Sequence, residues 1–215
     1  MTNIPHVLLA AGPSKRMGQP KQLLSWKNKS LIQFQVETIL PTTEKLYVIL
    51  GAFTSLIHPL LKDYKVELIQ FDQWEKGMGN SLAYGIQKIL YLNPKIEGIL
   101  ISLIDQPLVS TSHYLDMRAT FKKGKNQIIA SESDSGWSGV PVLFDACYFD
   151  ELQKLSGEEG AKLILKKNEP SEIKDCSEKF NKASFAFNQA LDGIIIKPLA
   201  KAYNILPSPV RSGVG

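Results

Sequence analysis

The stretch from Val7 to Leu24 constrains the fold of this 215-residue chain more than any other. It opens as a short apolar run of strand type, breaks into a loop at Gly12, and then carries Lys15, Arg16 and Lys21. In open α/β sheets ligands bind at the carboxyl ends of strands, and a glycine there lets backbone N–H groups approach a phosphate. The stretch therefore predicts a polyphosphate cradle, although its three charges alone favour a solvated strand-to-helix loop. It contains neither Gly-Lys-Ser/Thr nor G-x-G-x-x-G, so it is not a Walker loop or a dinucleotide fingerprint.

The order of small, basic and apolar residues in this stretch is more specific than its charge. It reads L-A-A-G-x-S-x-R-M-G-x-P-K-Q-L-L and resembles the signature of the nucleotidyltransferases that make molybdenum cofactor dinucleotides, in particular the molybdenum cofactor cytidylyltransferases. The resemblance implies that the loop wraps a nucleoside triphosphate, with Lys21 against the phosphates. The expected nucleotide-binding residues are the motif residues Leu9, Ala10, Ala11, Gly12, Ser14, Arg16 and Lys21, together with Lys15. Guanylyl-transferring relatives tend to carry L-A-G-G where this chain has L-A-A-G, so the resemblance favours CTP over GTP.

A second glycine loop, between residues 74 and 82, reads W-E-K-G-M-G-N-S-L. It runs into an apolar helix-like segment, and Asn80 or Ser81 is the expected N-cap. Such a loop exposes backbone donors to a ligand, although a plain strand-to-helix connection has the same pattern. In the family resembled, the matching segment sits beside the base and ribose. The residues that this match adds to the expected nucleotide site are Gly77, Met78, Gly79 and Ser81.

Asp105 is the first charged residue after the apolar run of residues 99–104. A carboxylate at the end of a buried parallel strand faces the same crevice as the first loop and can hold Mg²⁺ against a triphosphate. An aspartate that caps the following turn is the structural alternative. Asp-Gln-Pro matches the metal-binding L-x-x-D-Q-P segment of the family. The resemblance therefore assigns Asp105 to the metal and, together with Arg16 and Lys21, to catalysis.

The acceptor side of the expected site matches the family less well. The segment G-W-S-G-V-P-V-L-F, residues 136–144, resembles the G-x-P-x-L-F segment that lines the pocket for the second substrate. Val140 stands where molybdopterin-specific members often carry histidine. Trp137 could stack on a flat pterin or pack as an ordinary half-buried tryptophan. The residues expected to contact the acceptor are Gln106, Pro107, Gly139 and Pro141.

The end of the chain departs most from the family. Related chains usually finish with D-x-D/N-T-P-E-D, whose second acidic or amide position completes the metal site. The best placement here is residues 186–192, which leaves Asn188 as the expected second ligand and lacks the Thr-Pro-Glu core. An asparagine oxygen can bind Mg²⁺ but brings no charge to offset the cation. Either the metal site is weakened or this placement is incorrect.

Apolar runs of strand type alternate with helix-like segments along the chain. Strands are predicted over residues 46–50, 66–71, 99–104, 127–130 and 140–144. Helices are predicted through residue 40 with Ser30 as the N-cap, and over 54–62, 112–123, 146–155 and 159–167. This alternation predicts an α/β, Rossmann-like three-layer fold with a mostly parallel sheet. The resemblance implies the nucleotide-diphospho-sugar transferase type of that fold. Residues 1–197 are expected to form one domain, and residues 198–215 a poorly ordered tail.

The composition is that of an ordinary globular protein, with 44% hydrophobic and 21% charged residues and a formal charge of +4. This charge is mild and forms no basic run, so no nucleic-acid partner is expected. No leader-like or membrane-spanning segment is recognised, which predicts a cytoplasmic protein without a membrane partner. Cys147 and Cys176 are far apart in the sequence and are expected to be reduced thiols.

Together, the residues and the resemblance predict a Mg²⁺-dependent nucleotidyltransferase that moves CMP from CTP onto a phosphate-bearing acceptor such as molybdopterin and releases pyrophosphate. A molybdoenzyme or its maturation factor is the expected protein partner. Two other functions stay open, a transferase that acts on a sugar or alcohol phosphate and a non-catalytic protein that delivers a nucleotide or cofactor. An oxidoreductase would need a dinucleotide fingerprint, which the sequence lacks.

Overall fold

The computed structural model describes residues 3–14, 17–132, 138–168 and 172–174. The strands are β1 His6–Ala10, β2 Ser25–Trp26, β3 Lys29–Ser30, β4 Leu46–Leu50, β5 Glu67–Gln70, β6 Gly98–Leu103, β7 Ile128–Glu132, β8 Ser138–Asp145 and β9 Glu172–Lys174. The helices are α1 Leu31–Ile39, α2 Thr54–Leu61, α3 Met78–Leu92, α4 Thr111–Thr120, α5 Phe149–Gln153 and α6 Lys162–Lys167. None of these helices is both long enough and apolar enough to cross a membrane.

Within the described residues the main sheet has seven strands in the order β5-β4-β1-β6-β8-β7-β9. The neighbours from β5 to β6 are parallel, β8 is antiparallel to both of its neighbours, and β7 and β9 are parallel. The register pairs Leu9 of the central strand β1 with Ile49 on one side and Leu103 on the other. The predicted mostly parallel sheet is confirmed. The short strands β2 and β3 form a separate hairpin.

The side chains of each central strand alternate between two helical layers. Val7 and Leu9 pack in the apolar cluster that includes residues of α3, α5 and α6. Leu8 and Ala10 pack in the cluster that includes residues of α1, α2 and α4. All four strand residues are buried. The sheet is therefore covered on both faces, and the predicted three-layer α/β fold is confirmed.

Helix α1 begins and ends where local sequence rules predict. The Ser30 hydroxyl accepts a hydrogen bond from the backbone N–H of Gln33, and the Gln33 side chain accepts one from the backbone N–H of Ser30, which forms a capping box. Pro41 cannot donate to the α-helical ladder, and the chain passes into a 3₁₀ turn over Leu40–Thr42. The Leu31 N–H at the start of this helix donates to the Leu24 carbonyl at 2.8 Å, directly after the turn that carries Lys21.

The N-cap predicted for α3 is wrong. The helix starts at Met78 with Gly77 as its N-cap, so Asn80 and Ser81 lie in the first turn. Both side chains are used there, because Asn80 Oδ1 accepts from the Gly157 N–H at 2.9 Å and Ser81 Oγ donates to the Gly77 carbonyl at 3.2 Å. The start of this helix is therefore held both by a bond to a distant loop and by a bond within its first turn.

Candidate active site

The candidate site lies where the chain changes direction across the sheet. From β1 the chain runs to β4 and β5 on one side and then returns to β6 on the other. Adjacent parallel strands whose connections leave in opposite directions open a crevice at their carboxyl ends, where open α/β sheets bind ligands. The loop of Gly12 follows β1, and Asp105 follows β6. The topology thus brings these two predicted parts of the site to one crevice.

Lys21 and Asp105 form an ion pair in this crevice, although 84 residues separate them in the sequence. Lys21 Nζ lies 3.0 Å from Asp105 Oδ2, and the two side chains are 25% and 34% exposed. A pair that is open to water contributes little to stability. Both charges are therefore accessible, an ammonium suited to phosphate oxygens and a carboxylate suited to a divalent cation.

Hydrogen bonds from other parts of the chain fix the loop of residues 10–14. The Gln22 amide nitrogen donates to the carbonyls of Ala10 at 2.8 Å and Gly12 at 3.0 Å. The Ala11 carbonyl accepts from the Ala52 N–H at 3.1 Å. The hydroxyl of Ser14 accepts from the Lys21 N–H at 3.0 Å, which ties the turn that carries the lysine to the loop.

Gly12 has open space beside it. It is exposed, and a Cβ built there meets no described atom within 4 Å. Its φ is not in the left-handed region, unlike that of Gly18 at +64°. Neither the backbone conformation nor packing among the described residues therefore requires glycine at this position. A ligand that approaches the backbone closely would account for it.

The second glycine loop has a structural reason for its glycines. Gly77 has a φ of +108°, and a Cβ there would lie 2.5 Å from the carbonyl oxygen of Gly157. A Cβ on Gly79 would lie 2.7 Å from the carbonyl oxygen of Ser156. The Gly79 N–H donates to the Gly157 carbonyl at 2.7 Å. The loop at residues 156–157 thus packs directly on the first turn of α3 and occupies one backbone donor expected to face a ligand.

The two glycine loops converge at Gly51, which sequence reasoning missed. A Cβ at Gly51 would lie 2.6 Å from the Ala11 carbonyl oxygen and 2.7 Å from Trp74 Cβ. The loop after β1 and the segment before α3 therefore approach the same point at the end of β4. The available signal was a glycine directly after an apolar strand, the same pattern that singled out Gly12.

The predicted nucleotide residues differ in how much surface they present. Gly12 and Met78 are exposed, and Ser14 and Lys21 are partly buried. The others that the structure describes are buried, namely Leu9, Ala10, Ala11, Gly77, Gly79 and Ser81. The buried residues can contribute through their backbone and through the shape of the loops.

Gln106 connects the end of β6 to β8. Its amide nitrogen donates to the Val140 carbonyl at 2.6 Å, and its amide oxygen accepts from the Leu103 N–H at 3.4 Å. The other residues of the predicted acceptor site are buried, namely Pro107, Gly139 and Pro141. The segment of Val140 thus lies beside the segment of Asp105, and acceptor contact by these four residues stays a prediction.

Several predicted residues lie outside the described part of the chain, namely Lys15, Arg16, Trp137, Cys176, Asn188 and residues 198–215. Among the residues that are described, no group of three or more His, Cys, Asp or Glu side chains could hold a metal ion. Mg²⁺ is commonly bound by one or two carboxylates together with substrate phosphates. The carboxylate of Asp105 at the crevice fits that kind of site.

Two family models match the chain. The MobA-like NTP transferase domain matches residues 6–173, from the start of β1 into β9. The MlaA lipoprotein model matches residues 173–215. Asn188, the expected second metal ligand, therefore lies beyond the nucleotidyltransferase match.

Purine catabolism protein PucB of Bacillus subtilis (strain 168) is 31% identical over 170 residues, which cover 74% of this chain and 79% of PucB. The crystal structure of Rv0371c from Mycobacterium tuberculosis H37Rv has a TM-score of 0.73 at 23% identity, and the match covers 88% of this chain and 97% of the Rv0371c chain. The manganese complex of Rv0371c has a TM-score of 0.70 at 21% identity, and that match covers 88% of this chain and 98% of the other. Mth528, a nucleotidyl transferase from Methanothermobacter thermautotroptrophicus, has a TM-score of 0.68 at 19% identity, with coverage of 91% and 98%. The solved structures share the fold of this chain. The extent of the domain match and the identity with PucB show that the chain belongs to the MobA-like NTP transferase domain family, a family of nucleotidyltransferases.

Proposed function

We propose that this nucleotidyltransferase moves CMP from CTP onto a phosphate-bearing acceptor, with molybdopterin as the first candidate, and releases pyrophosphate. The observation that carries the proposal is the 3.0 Å ion pair between Lys21 and Asp105, in the crevice that the loop of Gly12 also borders. The pair places the Lys21 ammonium, which can bind phosphate oxygens, next to the Asp105 carboxylate, which can bind a divalent metal. Both lie at the carboxyl ends of the strands, where open α/β sheets bind ligands.

Nucleotidyl transfer asks the protein mainly for alignment and for charges that offset the charge of the transition state. Lys21 would offset charge on the α-phosphate and on the departing pyrophosphate. Arg16, two residues after Ser14 in the same sequence motif, is the proposed second cation. An acceptor phosphate is already ionised at neutral pH. Its oxygen can bond to the α-phosphorus while the bond to the pyrophosphate oxygen breaks, so no general base is needed.

Mg²⁺ is the proposed metal, with Asp105 as its first ligand and Asn188 as its second. The Asp105 carboxylate suits the role because it is a hard oxygen ligand that is partly exposed in the crevice. Held by these residues, the ion would supply positive charge that offsets the negative charge of the phosphates. The manganese complex of Rv0371c supports a divalent ion in a protein of this fold.

The base and the acceptor are proposed from the sequence. L-A-A-G at residues 9–12 favours CTP, and the resemblance to molybdenum cofactor cytidylyltransferases favours molybdopterin. The name of PucB assigns that relative to purine catabolism and specifies no acceptor. Acceptor identity therefore has to be tested directly.

The test measures pyrophosphate release from CTP and from GTP with Mg²⁺, with and without molybdopterin. Release that requires both CTP and molybdopterin is the expected result. Release with a sugar phosphate or alcohol phosphate instead would redirect the proposal to another acceptor. Nucleotide binding without release under any condition would favour a delivery protein and contradict the proposed transfer.

Variants of the ion pair test its part in the reaction. We expect Asp105→Ala and Lys21→Ala each to lower turnover by about a hundredfold or more, the effect of removing one group that stabilises transition-state charge. Glu97→Ala is the matched control, because Glu97 precedes β6 and pairs with Lys123 at 2.7 Å at the opposite edge of the sheet. Near-normal turnover in either variant of the Lys21–Asp105 pair would refute the assignment.

A further inference from the structure

Gln22 is fully buried beneath the loop of Gly12. Its amide nitrogen donates to two carbonyls of that loop, those of Ala10 at 2.8 Å and Gly12 at 3.0 Å. The opposite orientation of the carboxamide would place its oxygen against both carbonyl oxygens, which cannot donate. Both protons of one amide group are therefore committed to the loop backbone.

These bonds determine which way the loop backbone faces. The carbonyls of Ala10, Ala11 and Gly12 all accept hydrogen bonds from within the chain, the middle one from the Ala52 N–H. A trans peptide is planar, so the carbonyls of Ala10 and Ala11 direct the N–H groups of Ala11 and Gly12 to the opposite side, whereas Pro13 after Gly12 has no N–H. The N–H groups of Ala11 and Gly12 are thus oriented before any ligand binds.

Gln22 also belongs to the turn that carries the lysine of the ion pair. The 3₁₀ turn Lys21–Leu23 contains both residues, and the Lys21 N–H is bound to the Ser14 hydroxyl. Holding Gln22 under the loop therefore holds the backbone of Lys21 beside it. One buried amide connects the backbone of the cradle to its cation.

The Gln22 carboxamide uses its nitrogen as a donor but not its oxygen as an acceptor. Gln22 Oε1 is buried and has no hydrogen-bond partner among the described residues. An unsatisfied buried acceptor costs stability, and an apolar side chain of similar length would avoid that cost. Packing alone thus gives no reason for glutamine here, whereas its two donor contacts do.

We propose that Gln22 is a positioning residue of the nucleotide site, which acts through the loop backbone and the Lys21 turn without touching the substrate. This inference rests on the proposed function of the loop. Preorganised donors bind an anion more strongly because binding no longer has to order them. Loss of the amide should therefore weaken nucleotide binding more than it lowers the chemical rate.

The test compares Gln22→Met with Gln127→Met in calorimetric CTP binding, steady-state kinetics and thermal unfolding. Gln127 is also buried, and its Oε1 accepts from the Lys122 N–H at 2.7 Å, but it precedes β7 at the opposite edge of the sheet. We expect Gln22→Met to raise the Kd and KM for CTP about tenfold, the effect of losing roughly one net hydrogen bond, with less than about a threefold change in kcat. Gln127→Met should lower the melting temperature without changing CTP affinity.

The variant Gln22→Glu adds a second measurement, the pH dependence of CTP affinity, which a change in packing alone would not produce. Its ionised carboxylate would face two carbonyl oxygens, whereas the protonated acid can donate to one of them. CTP affinity of this variant should therefore improve as the pH falls from about 8 to about 5.5, relative to wild type and Gln22→Met at the same pH. A pH profile parallel to that of Gln22→Met would overturn the proposal.

The outcomes separate this inference from the proposed function. Wild-type CTP affinity in Gln22→Met, together with weakened affinity in Lys21→Ala, would overturn the role of Gln22 and leave the nucleotide site intact. Absence of CTP and GTP binding in the wild-type protein would overturn both. If Gln22→Met does not fold, Gln22→Asn replaces it, because its shorter amide cannot span both carbonyls. Wild-type affinity in that variant would equally contradict the proposal.

Discussion

Replacing Gly12 by alanine distinguishes a glycine that serves a ligand from one that serves the fold. A methyl group at this position meets no described atom within 4 Å, and the φ of Gly12 is not left-handed. The folded state should therefore accept alanine without strain. Removing the freedom of glycine from the unfolded chain should stabilise the protein by about 0.4–1 kcal/mol. For a chain of this length, that raises the melting temperature by about 1–4 °C.

The same substitution at Gly77 should have the opposite effect. With a φ of +108° and a Cβ only 2.5 Å from the Gly157 carbonyl oxygen, alanine there is strained and displaces the neighbouring loop. Backbone strain alone costs about 1–3 kcal/mol, before the clash is counted. The melting temperature should fall by about 2–12 °C. Gly77→Ala is therefore the control for a glycine that the fold requires.

The assay pairs thermal unfolding with calorimetric CTP binding for both variants. Gly12→Ala should melt at or above the wild-type temperature and bind CTP at least about tenfold more weakly, because the methyl group prevents close approach of a phosphate to the backbone. CTP affinity equal to wild type would refute the reasoning that the space beside Gly12 serves a ligand. A melting temperature several degrees below wild type would show instead that the fold requires this glycine.

Three further predictions concern a buried histidine and the metal side of the site. Burial and a nearby arginine hold the pKa of His6 well below 6.5, so the unfolded chain binds a proton that the folded chain does not. This contribution to the free energy of unfolding should be fully present above about pH 6.5 and should fall at lower pH by up to about 1.4 kcal/mol per pH unit. Denaturant unfolding at several pH values should show that the free energy of unfolding depends less on pH in His6→Gln than in wild type. The Gln35 amide nitrogen donates to two carbonyls just before Asp105, each at 3.4 Å. Because Gln35→Met removes both contacts, it should raise the Mg²⁺ concentration needed for half-maximal pyrophosphate release several-fold. CTP binding without metal should not change. Asp105→Ala should bind CTP without metal at least as tightly as wild type.

The sequence predicts those parts of the fold that depend on local signals. Strand β4 occupies the predicted residues, and α1 starts after Ser30 as predicted from its capping residues. Apolar runs identify strands that are buried on both faces, and capping residues identify helix ends. These signals lie within a few residues of the feature they determine.

Features that depend on distant contacts were predicted less well. Gly77, rather than Asn80 or Ser81, caps α3 because the loop at residues 156–157 packs on that turn. The sequence pattern predicts that the glycines at 77 and 79 expose backbone donors to a ligand, yet the close approach of the same loop accounts for both glycines. Nothing near these glycines in the sequence reveals a neighbour almost 80 residues away.

The sequence identifies the residues of the candidate site more readily than the contacts between them. Gly12, Lys21 and Asp105 follow from motifs, and the order of the strands brings them to one crevice. The supporting roles of Gln22 and Gly51 depend on side-chain burial and on the approach of separate loops, which one sequence does not encode locally. The motif contains Gln22, but its letters do not show that the amide points inward.

The ion pair changes how variants of the site must be interpreted. Without ligands, Lys21 and Asp105 neutralise each other at 3.0 Å, and both are partly exposed. Removing the carboxylate frees the ammonium and removes a negative charge that would repel a triphosphate. Metal-free CTP affinity should therefore hold or improve in Asp105→Ala while turnover collapses, because the variant keeps the phosphate contact but loses the metal ligand. A matching loss of affinity and turnover would mean that the carboxylate mainly positions Lys21, and the metal assignment would fail.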